Sequence, residues 1–343
     1  MAAKKKVRVG IIGTGIGNAH RGGFDKLDNV EIIGLVDLDE KRGKAVAKEW
    51  EVPNSFTNHE DLLNLKGLDA VTVGTPNAFH ASVAIDALKA GKHVMCEKPM
   101  AATLAEAEKL AKIAKKSDKV FMMGFNNRYR GDTTYLKKII DSGELGEMYY
   151  GKTGWVRRHG APGAGGWFTT KALSGGGPLI DLGVHALDLT WWLMGKPKPV
   201  SVDGSVFYKL AKGEMERIGA KGTYDVEDAA VAHVRFENGA AIMIEASWIL
   251  HIPKEQFYCS ISGTEGGATV EPDFRIVQVK LDQPVDVTPQ APSVNGHEAE
   301  IAHFVDCIIT GREPISTADD GLNVQKMLDG IYRSSETGTI VTL

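Results

Sequence analysis

The amino-acid sequence predicts an α/β protein: a doubly wound parallel sheet, followed by an α+β domain with a large open, mostly antiparallel sheet. The length of 343 residues favours two domains over one. Up to about residue 124, short β-branched runs alternate with amphipathic helical segments, a pattern typical of parallel strands joined by crossover helices. Between residues 200 and 279, strand-like runs follow one another directly. We therefore expect one domain at residues 1–124 and a second at residues 125–343.

The individual elements follow from the hydrophobic pattern. In the first domain, apolar runs predict strands at residues 7–12, 30–36, 70–73, 93–96 and 120–123, with helices at 78–90 and 103–116. The second domain opens with a predicted helix at 132–141, a run rich in glycine and aromatic residues, and a long helix from Pro178. Strands are predicted at 202–208, 229–236, 241–249, 257–262 and 276–279, with a hairpin turn at Asn238-Gly239. Helices near 298–310 and 318–334 complete the chain.

The composition argues against several function classes. There are 40 Lys+Arg against 44 Asp+Glu, and the one basic run, residues 4–6, is interpreted as solvated, so we expect no nucleic-acid partner. No window approaches the ~20 apolar residues of a membrane span, and the first residues lack the apolar core of a signal peptide. Cys96, Cys259 and Cys307 have no metal-ligand spacing. We expect a cytoplasmic protein in a reducing setting, without a metal.

A glycine-rich turn follows the first predicted strand. In "VGIIGTGIGNAH", Gly13, Gly15 and Gly17 would permit a tight turn and let the backbone approach a pyrophosphate at a helix N-terminus. The spacing is G-x-G-x-G, one residue shorter than the usual fingerprint, with Asn18 at the sixth position. The second strand ends at Asp37, twenty residues past Gly17, where a carboxylate would accept hydrogen bonds from the adenosine ribose. These features predict a Rossmann domain that binds a dinucleotide.

The choice between the two nicotinamide dinucleotides depends on the same region. The carboxylate of Asp37 would repel a 2′-phosphate, which favours NAD over NADP. Lys41 and Arg42 follow and could receive that phosphate, but we interpret them as surface residues in the first turns of a helix.

Two strand ends carry further polar residues. "VGTPNAFH" follows one strand, and the next strand runs directly into Glu97, Lys98 and Pro99. Ligands of doubly wound sheets bind outside the carboxyl ends of the strands, so Lys98 would lie near the nicotinamide. The alternative is a Glu–Lys surface pair, which contributes little to stability.

The segment "SGGGPLIDLGVHALDLTWWLMG" predicts a helix that begins at Pro178 and stops at Gly195. Asp181, His185 and Asp188 share one of its faces. Residues 178–194 contain no Lys, Arg or Glu, so the helix is predicted to be buried on most sides. A buried carboxylate and histidine on one face favour an active site over a solvated face. We interpret the glycines at 175–177 as room for the helix to approach a flat cofactor ring.

Taken together, the motifs TPNxxH, AGKHVxCEKP, GFNxRY and GGGxxxDxGxHxxD make this chain resemble the Gfo/Idh/MocA family, named for glucose–fructose oxidoreductase and inositol dehydrogenase. The motifs lie between residue 7 and about residue 195. The resemblance implies an NAD(P)-dependent dehydrogenase or reductase acting on CH–OH groups, with Lys98, Asp181 and His185 as catalytic residues. It also implies a cis bond between Lys98 and Pro99, which is frequent in the family. A further implication is a homo-oligomer, either a dimer or a tetramer, that forms through the open sheet of the second domain.

The glycine turn and the resemblance together indicate the cofactor-binding residues. They are Gly13, Thr14, Gly15, Ile16, Gly17, Asn18, Asp37, Thr75, Pro76, Asn77, His80, Glu97, Lys98 and Asn126. The contacts of residues 16–18 depart most from the family pattern, because the glycine turn is short.

The implied reaction gives each catalytic residue a role. The charge of Lys98 would stabilise the developing alkoxide. His185 would accept the hydroxyl proton, since histidine titrates at about pH 6.5. Asp181 would orient the imidazole or hydrogen-bond the substrate.

The residues that precede the predicted catalytic helix indicate a polyhydroxylated substrate, because they combine hydrogen-bond donors with an indole face. They are Arg157, Arg158, His159, Trp167 and Lys171, with Tyr129 and His251 as further candidates. Of these, we expect Tyr129, Arg157, Arg158 and Trp167 to bind the substrate together with the three catalytic residues. Adjacent arginines could instead indicate a carboxylate, a second sugar or the edge of a strand. We expect a sugar, cyclitol or glycoside.

Two alternative functions remain open. The first is a glycosidase that cycles its NAD, oxidising a sugar transiently to eliminate the aglycone. The second is a regulator that has kept the fold without catalysis. The intact set of Lys98, Asp181 and His185 favours the dehydrogenase over both.

Overall fold

The computed structural model describes residues 6–343, so residues 4 and 5 of the basic run lie outside the described part of the chain. The chain divides into two compact units. Unit 1 comprises the described part of residues 1–126 together with residues 294–322, and unit 2 comprises residues 127–293 and 323–343. Among the described residues, no helix has both the length and the apolar character needed to cross a membrane.

Unit 1 contains a six-stranded, fully parallel sheet in the order β3-β2-β1-β4-β5-β6. Its strands are β1 (Val7–Ile12), β2 (Val30–Val36), β3 (Ser55–Phe56), β4 (Ala70–Val73), β5 (His93–Glu97) and β6 (Phe121–Gly124). The connecting helices are α1 (Thr14–Phe24), α2 (Glu40–Glu49), α3 (His59–Leu63), α4 (His80–Lys89) and α5 (Leu104–Ala114). The predicted doubly wound sheet is confirmed, and the chain reverses direction across it between β1 and β4, where such sheets bind ligands.

Unit 2 contains a nine-stranded sheet in the order β14-β13-β12-β11-β7-β10-β9-β8-β15. Its strands are β7 (Met148–Val156), β8 (Pro199–Phe207), β9 (Ala229–Phe236), β10 (Ala241–Ser247), β11 (Gln256–Gly263), β12 (Gly266–Glu271), β13 (Arg275–Lys280), β14 (Gln283–Val287) and β15 (Val341–Thr342). Only the β7–β10 pair is parallel among these described strands, so the mostly antiparallel sheet is confirmed. The predicted hairpin at Asn238-Gly239 joins β9 to β10, with Gly239 at φ 83°.

Unit 2 also contains the helices α6 (Gly131–Asp141), α7 (Lys171–Ser174), α8 (Val184–Leu193) and α9 (Ala211–Ile218). Helix α8 packs directly on the sheet, where the Thr153 hydroxyl of β7 donates to the Ala186 carbonyl at 3.2 Å. A Cβ on Gly151 would lie 2.7 Å from a methyl group of Thr190, so the sheet and helix are in close contact.

Two long helices follow the sheet in sequence, α10 (Gly296–Thr310) and α11 (Ala318–Thr337). The predicted division at residues 124/125 places α10 in the second domain, whereas the structure groups it with unit 1. The reason is hydrophobic burial, because Ile301, Phe304 and Val305 belong to the core cluster that contains Val9 and Ile11 of β1.

Candidate active site

The glycine turn of unit 1 has the properties of a pyrophosphate site. Gly13 has φ 93°, and a Cβ there would lie 2.3 Å from the Gly74 carbonyl oxygen. A Cβ on Gly15 would meet nothing within 4 Å, so this glycine leaves open space beside the turn. Helix α1 begins at Thr14 without a side-chain cap or an acidic residue in its first turn. The first N–H groups of α1 are therefore suited to bind an anion.

The other predicted residues of this turn have different surroundings. Ile16 and Asn18 are exposed on α1. A Cβ on Gly17 would lie 2.6 Å from a methyl group of Ile11, so Gly17 serves the packing of α1 on β1. This is the known role of the third glycine in dinucleotide folds.

At the end of β2, the carboxylate of Asp37 is 3 % exposed and accepts several hydrogen bonds. Its Oδ1 accepts from the Asp39 N–H at 2.9 Å and from Arg42 Nη2 at 2.7 Å. Its Oδ2 accepts from Arg42 Nε at 2.7 Å and from the Thr14 hydroxyl. Burial raises the pKa of Asp37, but the hydrogen bonds from Arg42, Thr14 and Asp39 together hold it below its ordinary value. The carboxylate is thus fixed in its ionised form.

The loops after β4 and β5 are joined through His80. The ring of His80 is 1 % exposed; its Nδ1 lies 2.8 Å from the Pro99 carbonyl and its Nε2 lies 2.8 Å from the Thr75 carbonyl. Burial lowers the pKa of His80, although both carbonyls favour the protonated ring. The Lys98–Pro99 bond is cis, which confirms what the resemblance implies. His80 therefore positions these loops, and its predicted contact with the cofactor stays a prediction.

The same sheet edge presents other predicted cofactor residues. The Thr75 hydroxyl is buried and has no hydrogen-bond partner among the described residues, so it is available to a bound molecule. Asn77 is 7 % exposed, and Phe79 beside it is 41 % exposed. With the glycine turn and Asp37, this edge fits a nicotinamide dinucleotide.

Glu97, at the end of β5, lies in a buried polar cluster. Its Oε1 is 2.9 Å from His20 Nε2, and its Oε2 accepts from the Lys98 N–H at 3.2 Å. Burial raises the pKa of Glu97, but the hydrogen bond from His20 and the positive charges of His20, Lys98 and His297 lower it well below its ordinary value. Glu97 is 6 % exposed, so the alternative of a Glu–Lys surface pair is wrong.

Helix α10 contributes two residues to this cluster that the sequence did not reveal. Ligand atoms of Glu97, His297 and Glu300 all lie within 4.8 Å of one another, a spacing that a metal ion would accept. His297 Nε2 also lies 3.3 Å from Asn126 Nδ2, which places the predicted residue Asn126 here. The expected absence of a metal stays a prediction.

In unit 2, the segment that carries Asp181 and His185 is not one continuous α-helix. A π-helical turn, Leu179–Gly183, precedes α8, and a turn of this kind often marks a functional site. From residue 176 to residue 194, Asp181 and His185 are the only two described residues that are not buried. The predicted buried helix is therefore confirmed, with these two side chains as its exceptions.

Two tryptophans hold the pair, and neither was predicted from the sequence. Trp248 is 0 % exposed, and its Nε1–H donates to Asp181 Oδ2 at 3.0 Å. The Trp155 ring lies with its centroid 5.9 Å from that of His185. Trp248 thus orients Asp181, while Trp155 provides an aromatic wall beside His185.

Asp188 shares the predicted polar face but has a structural role. It is 1 % exposed and pairs with Arg128, which is 0 % exposed. Arg128 Nη2 donates to Oδ1 at 2.6 Å and Nε donates to Oδ2 at 3.1 Å. This bidentate pair fixes α8 against the segment that precedes α6.

The glycines at 175–177 also have a structural reason that differs from our interpretation. A Cβ on Gly176 would lie 2.1 Å from the Tyr332 hydroxyl, and one on Gly177 would lie 2.3 Å from the Glu227 carbonyl oxygen. The buried Glu227 carboxylate accepts from the N–H groups of Gly177 at 2.8 Å and Leu179 at 3.1 Å, and from the Tyr332 hydroxyl at 2.8 Å. Gly176 and Gly177 therefore make room for Tyr332 and Glu227 within unit 2, and Glu227 caps the segment that carries Asp181 and His185.

The predicted substrate residues have different neighbours in the structure. Arg157 packs over the Trp155 ring, with its Cζ 5.4 Å from the centroid. Arg158 donates to the Pro253 carbonyl at 3.3 Å. Trp167 stacks on Phe168 with 3.7 Å between ring centroids. Among these, Arg157 is linked to the surroundings of His185 through Trp155.

Tyr129 and His251 lie at opposite extremes of exposure. Tyr129 is 5 % exposed, whereas His251 is exposed at the surface of unit 2. Their predicted contacts with the substrate stay predictions.

The fold and the site define an NAD-binding oxidoreductase. Residues 7–125 match the model of an oxidoreductase family with an NAD-binding Rossmann fold, and residues 137–343 match the C-terminal α/β domain of that family. The chain belongs to the Gfo/Idh/MocA family, as its motifs predict.

Similar proteins are dehydrogenases and oxidoreductases. The D-glucoside 3-dehydrogenase of Escherichia coli is 32% identical, over 98% of this chain and 97% of its own length. The myo-inositol 2-dehydrogenase of Thermotoga maritima is 30% identical, over 70% of this chain and 68% of its own length. The crystal structure of the aldose-aldose oxidoreductase from Caulobacter crescentus, complexed with glycerol, has a TM-score of 0.85 at 26% identity, and covers 99% of this chain and 100% of that one.

Proposed function

We propose that this protein is an NAD-dependent dehydrogenase that transfers hydride between nicotinamide and a secondary alcohol of a sugar, cyclitol or glycoside. The observation that carries the proposal is the exposure of Asp181 and His185 alone within an otherwise buried segment. A carboxylate and a histidine that reach the surface from an otherwise buried segment are the side chains available there to a bound substrate. Lys98, after the end of β5, is the third catalytic residue of the proposal.

The proposed mechanism assigns one step to each side chain. His185 accepts the proton of the substrate hydroxyl as general base. The ammonium group of Lys98 stabilises the alkoxide that develops on the same oxygen. Asp181, held by Trp248, orients the substrate or the imidazole. The chemistry that NAD supplies when bound is acceptance of the hydride from the substrate carbon.

The substrate class is supported by the residues around His185 and by the relatives. Trp155 offers an aromatic surface for the C–H face of a ring, and Arg157 and Glu255 lie against it with polar groups for hydroxyls. Two relatives are named for a D-glucoside and for myo-inositol, which are both polyhydroxylated rings. Because the relatives are dehydrogenases, we favour oxidation over the glycosidase alternative.

The test is absorbance at the NADH band with purified protein, NAD and a panel of inositols, monosaccharides and glycosides. A rise with one member of the panel supports the dehydrogenase and identifies the substrate. Release of an aglycone from a glycoside without net NADH would contradict the proposal in favour of the glycosidase.

Replacing Trp248 with phenylalanine tests how Asp181 is held. The change removes the Nε1–H donor but keeps an aromatic ring in the buried site, so we expect kcat to fall about tenfold, the effect of one hydrogen bond to a charged group. Trp191→Phe is the matched control, because Trp191 is 1 % exposed and donates to the Pro197 carbonyl at 2.8 Å instead. Steady-state kinetics and thermal unfolding of both variants separate the outcomes. An equal loss of kcat in both would assign Trp248 to general packing.

We also propose a homo-oligomer that forms through the sheet face opposite α8. Large apolar side chains point outward there: Tyr150, Val231, Met243 and Val277 are 38–43 % exposed. Exposed apolar groups of this extent favour a protein partner. Light scattering after size-exclusion chromatography tests this, and the mass of a single chain would overturn it.

We also propose a cytoplasmic setting, which is supported by three free, buried cysteines.

A further inference from the structure

A buried carboxylate in unit 2, that of Glu227, binds the start of the segment that carries Asp181. Its Oε2 accepts from the Gly177 N–H at 2.8 Å, and its Oε1 accepts from the Leu179 N–H at 3.1 Å. The Tyr332 hydroxyl of α11 donates to the same Oε1 at 2.8 Å. Glu227 is 1 % exposed. None of these three donors supplies the positive charge that usually accompanies a buried carboxylate.

The charge of Glu227 opposes folding. Burial raises the pKa of Glu227, and the hydrogen bonds from Gly177, Tyr332 and Leu179 offset this shift only in part. The folded protein therefore favours the neutral form of a side chain that is ionised in the unfolded chain at neutral pH. Removing the charge relieves this penalty, which offsets the loss of a hydrogen bond in a neutral variant.

The carboxylate reaches the main chain of Asp181 through one residue. Gly177 donates its N–H to Glu227, and the Gly177 carbonyl accepts from the Asp181 N–H at 3.0 Å. Gly177 has no room for a side chain, because a Cβ there would lie 2.3 Å from the Glu227 carbonyl oxygen. The main chain at Asp181 is therefore fixed by Glu227 through a single, closely packed residue.

The next residue, Asp228, supports the side chain of Asp181. The Asp228 carbonyl accepts from the Trp248 N–H at 3.3 Å and from the Ser247 hydroxyl at 2.8 Å. Trp248 in turn donates its indole N–H to Asp181 Oδ2 at 3.0 Å. Two consecutive residues, Glu227 and Asp228, thus hold the main chain and the carboxylate of Asp181 respectively.

We infer that Glu227 is a positioning residue for the proposed reaction, because its carboxylate fixes the place from which Asp181 meets the substrate. The inference rests on the proposed function, since Glu227 acts through the role of Asp181. Glu227 itself needs no contact with substrate or cofactor, and it lies outside the motifs that indicated the catalytic residues. Loss of its charge should therefore reduce the rate rather than the stability.

The experiment compares Glu227→Gln with wild type in the full chain. Glutamine keeps the shape but has a single acceptor oxygen, so Gly177 or Leu179 loses its partner. We expect kcat to fall about tenfold, the effect of one hydrogen bond to a charged group. The melting temperature and the Kd for NADH should change little. The rate is measured as NADH formation from NAD with methyl D-glucoside or myo-inositol, whichever the wild type oxidises.

Glu245→Gln is the matched control. Glu245 also accepts from a tyrosine hydroxyl, that of Tyr258 at 2.7 Å, but this bond joins β10 to β11. We expect Glu245→Gln to keep the kcat of wild type. Tyr332→Phe is a second variant at the site itself: it removes one donor to Glu227 and should lower kcat by less than Glu227→Gln does.

A double-mutant cycle separates positioning from general support of the fold. Asp181→Ala removes the side chain that Glu227 positions, so adding Glu227→Gln should lower kcat no further. A second loss of the same size in the double variant would overturn the inference. A fall in melting temperature that accompanies the loss of kcat in both Glu227→Gln and Tyr332→Phe would also overturn it and make Glu227 structural. Absence of NADH formation by the wild type with the whole panel of inositols, monosaccharides and glycosides would instead contradict the proposed function.

Discussion

Replacing Lys98 with alanine is expected to lower kcat by a factor of about 10²–10³ or more, the usual loss when one group that stabilises an oxyanion is removed. The affinity for NADH is expected to change little, since the glycine turn and Asp37 are untouched. The backbone at this position is held by groups other than the Lys98 side chain. Glu97 accepts from the Lys98 N–H at 3.2 Å, and the Pro99 carbonyl is bound to His80. Pre-steady-state kinetics and NADH titration measure the two quantities separately.

Lys92→Ala is the control for this change, because Lys92 lies before the other end of β5. Its Nζ donates to the Leu68 carbonyl at 2.9 Å, a purely structural bond. We expect Lys92→Ala to reduce stability slightly and to leave kcat unchanged. If Lys98→Ala raised the Kd for NADH by the same factor by which it lowered kcat, Lys98 would be a structural or cofactor-binding residue.

The first half of the fold could be predicted from the sequence because its strands are continuous apolar runs. The strands at 7–12, 30–36 and 70–73 match the structure at both ends. Parallel strands are buried on both faces, so their sequences carry an uninterrupted signal. The ends of β2 and β5 gave the positions of Asp37 and Lys98 directly.

Strand β7 was missed because tertiary packing determines its composition. It contains Gly151 and Gly154, which weaken any local preference for a strand. A Cβ on Gly151 would meet Thr190 and Met194 near α8, and one on Gly154 would lie 2.8 Å from the Tyr258 ring. These glycines are needed by neighbours distant in sequence, and no local pattern reports them.

The residues that hold Glu97 and Asp181 in place were missed for a similar reason. His20 and Glu97 are 77 residues apart, and Asp181 and Trp248 are 67 residues apart. The motifs indicated the proposed catalytic residues, whereas the residues that hold them are ordinary core positions by composition. Gly176 and Gly177 show the same limit: the sequence indicated close packing, but not that Tyr332 and Glu227 are the neighbours.

His185 is expected to give opposite pH dependences in the two directions of the reaction. Oxidation of the alcohol needs the neutral imidazole as proton acceptor, so kcat for oxidation should fall as the pH drops through the range in which the imidazole becomes protonated. Reduction of the ketone needs the protonated imidazole as donor, so kcat for reduction should fall as the pH rises through the same range. Initial rates in both directions between about pH 5 and 9 measure the two limbs.

His185→Ala should lower kcat by about 10²–10⁴ and remove both limbs, because no other group then exchanges the proton at that position. His59→Ala is the control: His59 lies in unit 1, pairs with Asp86 at 3.2 Å and should retain the wild-type profile. Persistence of both limbs in His185→Ala would assign the proton transfer to another residue. Loss of the limbs with an intact affinity for NADH would instead separate the chemistry of His185 in unit 2 from the cofactor site in unit 1.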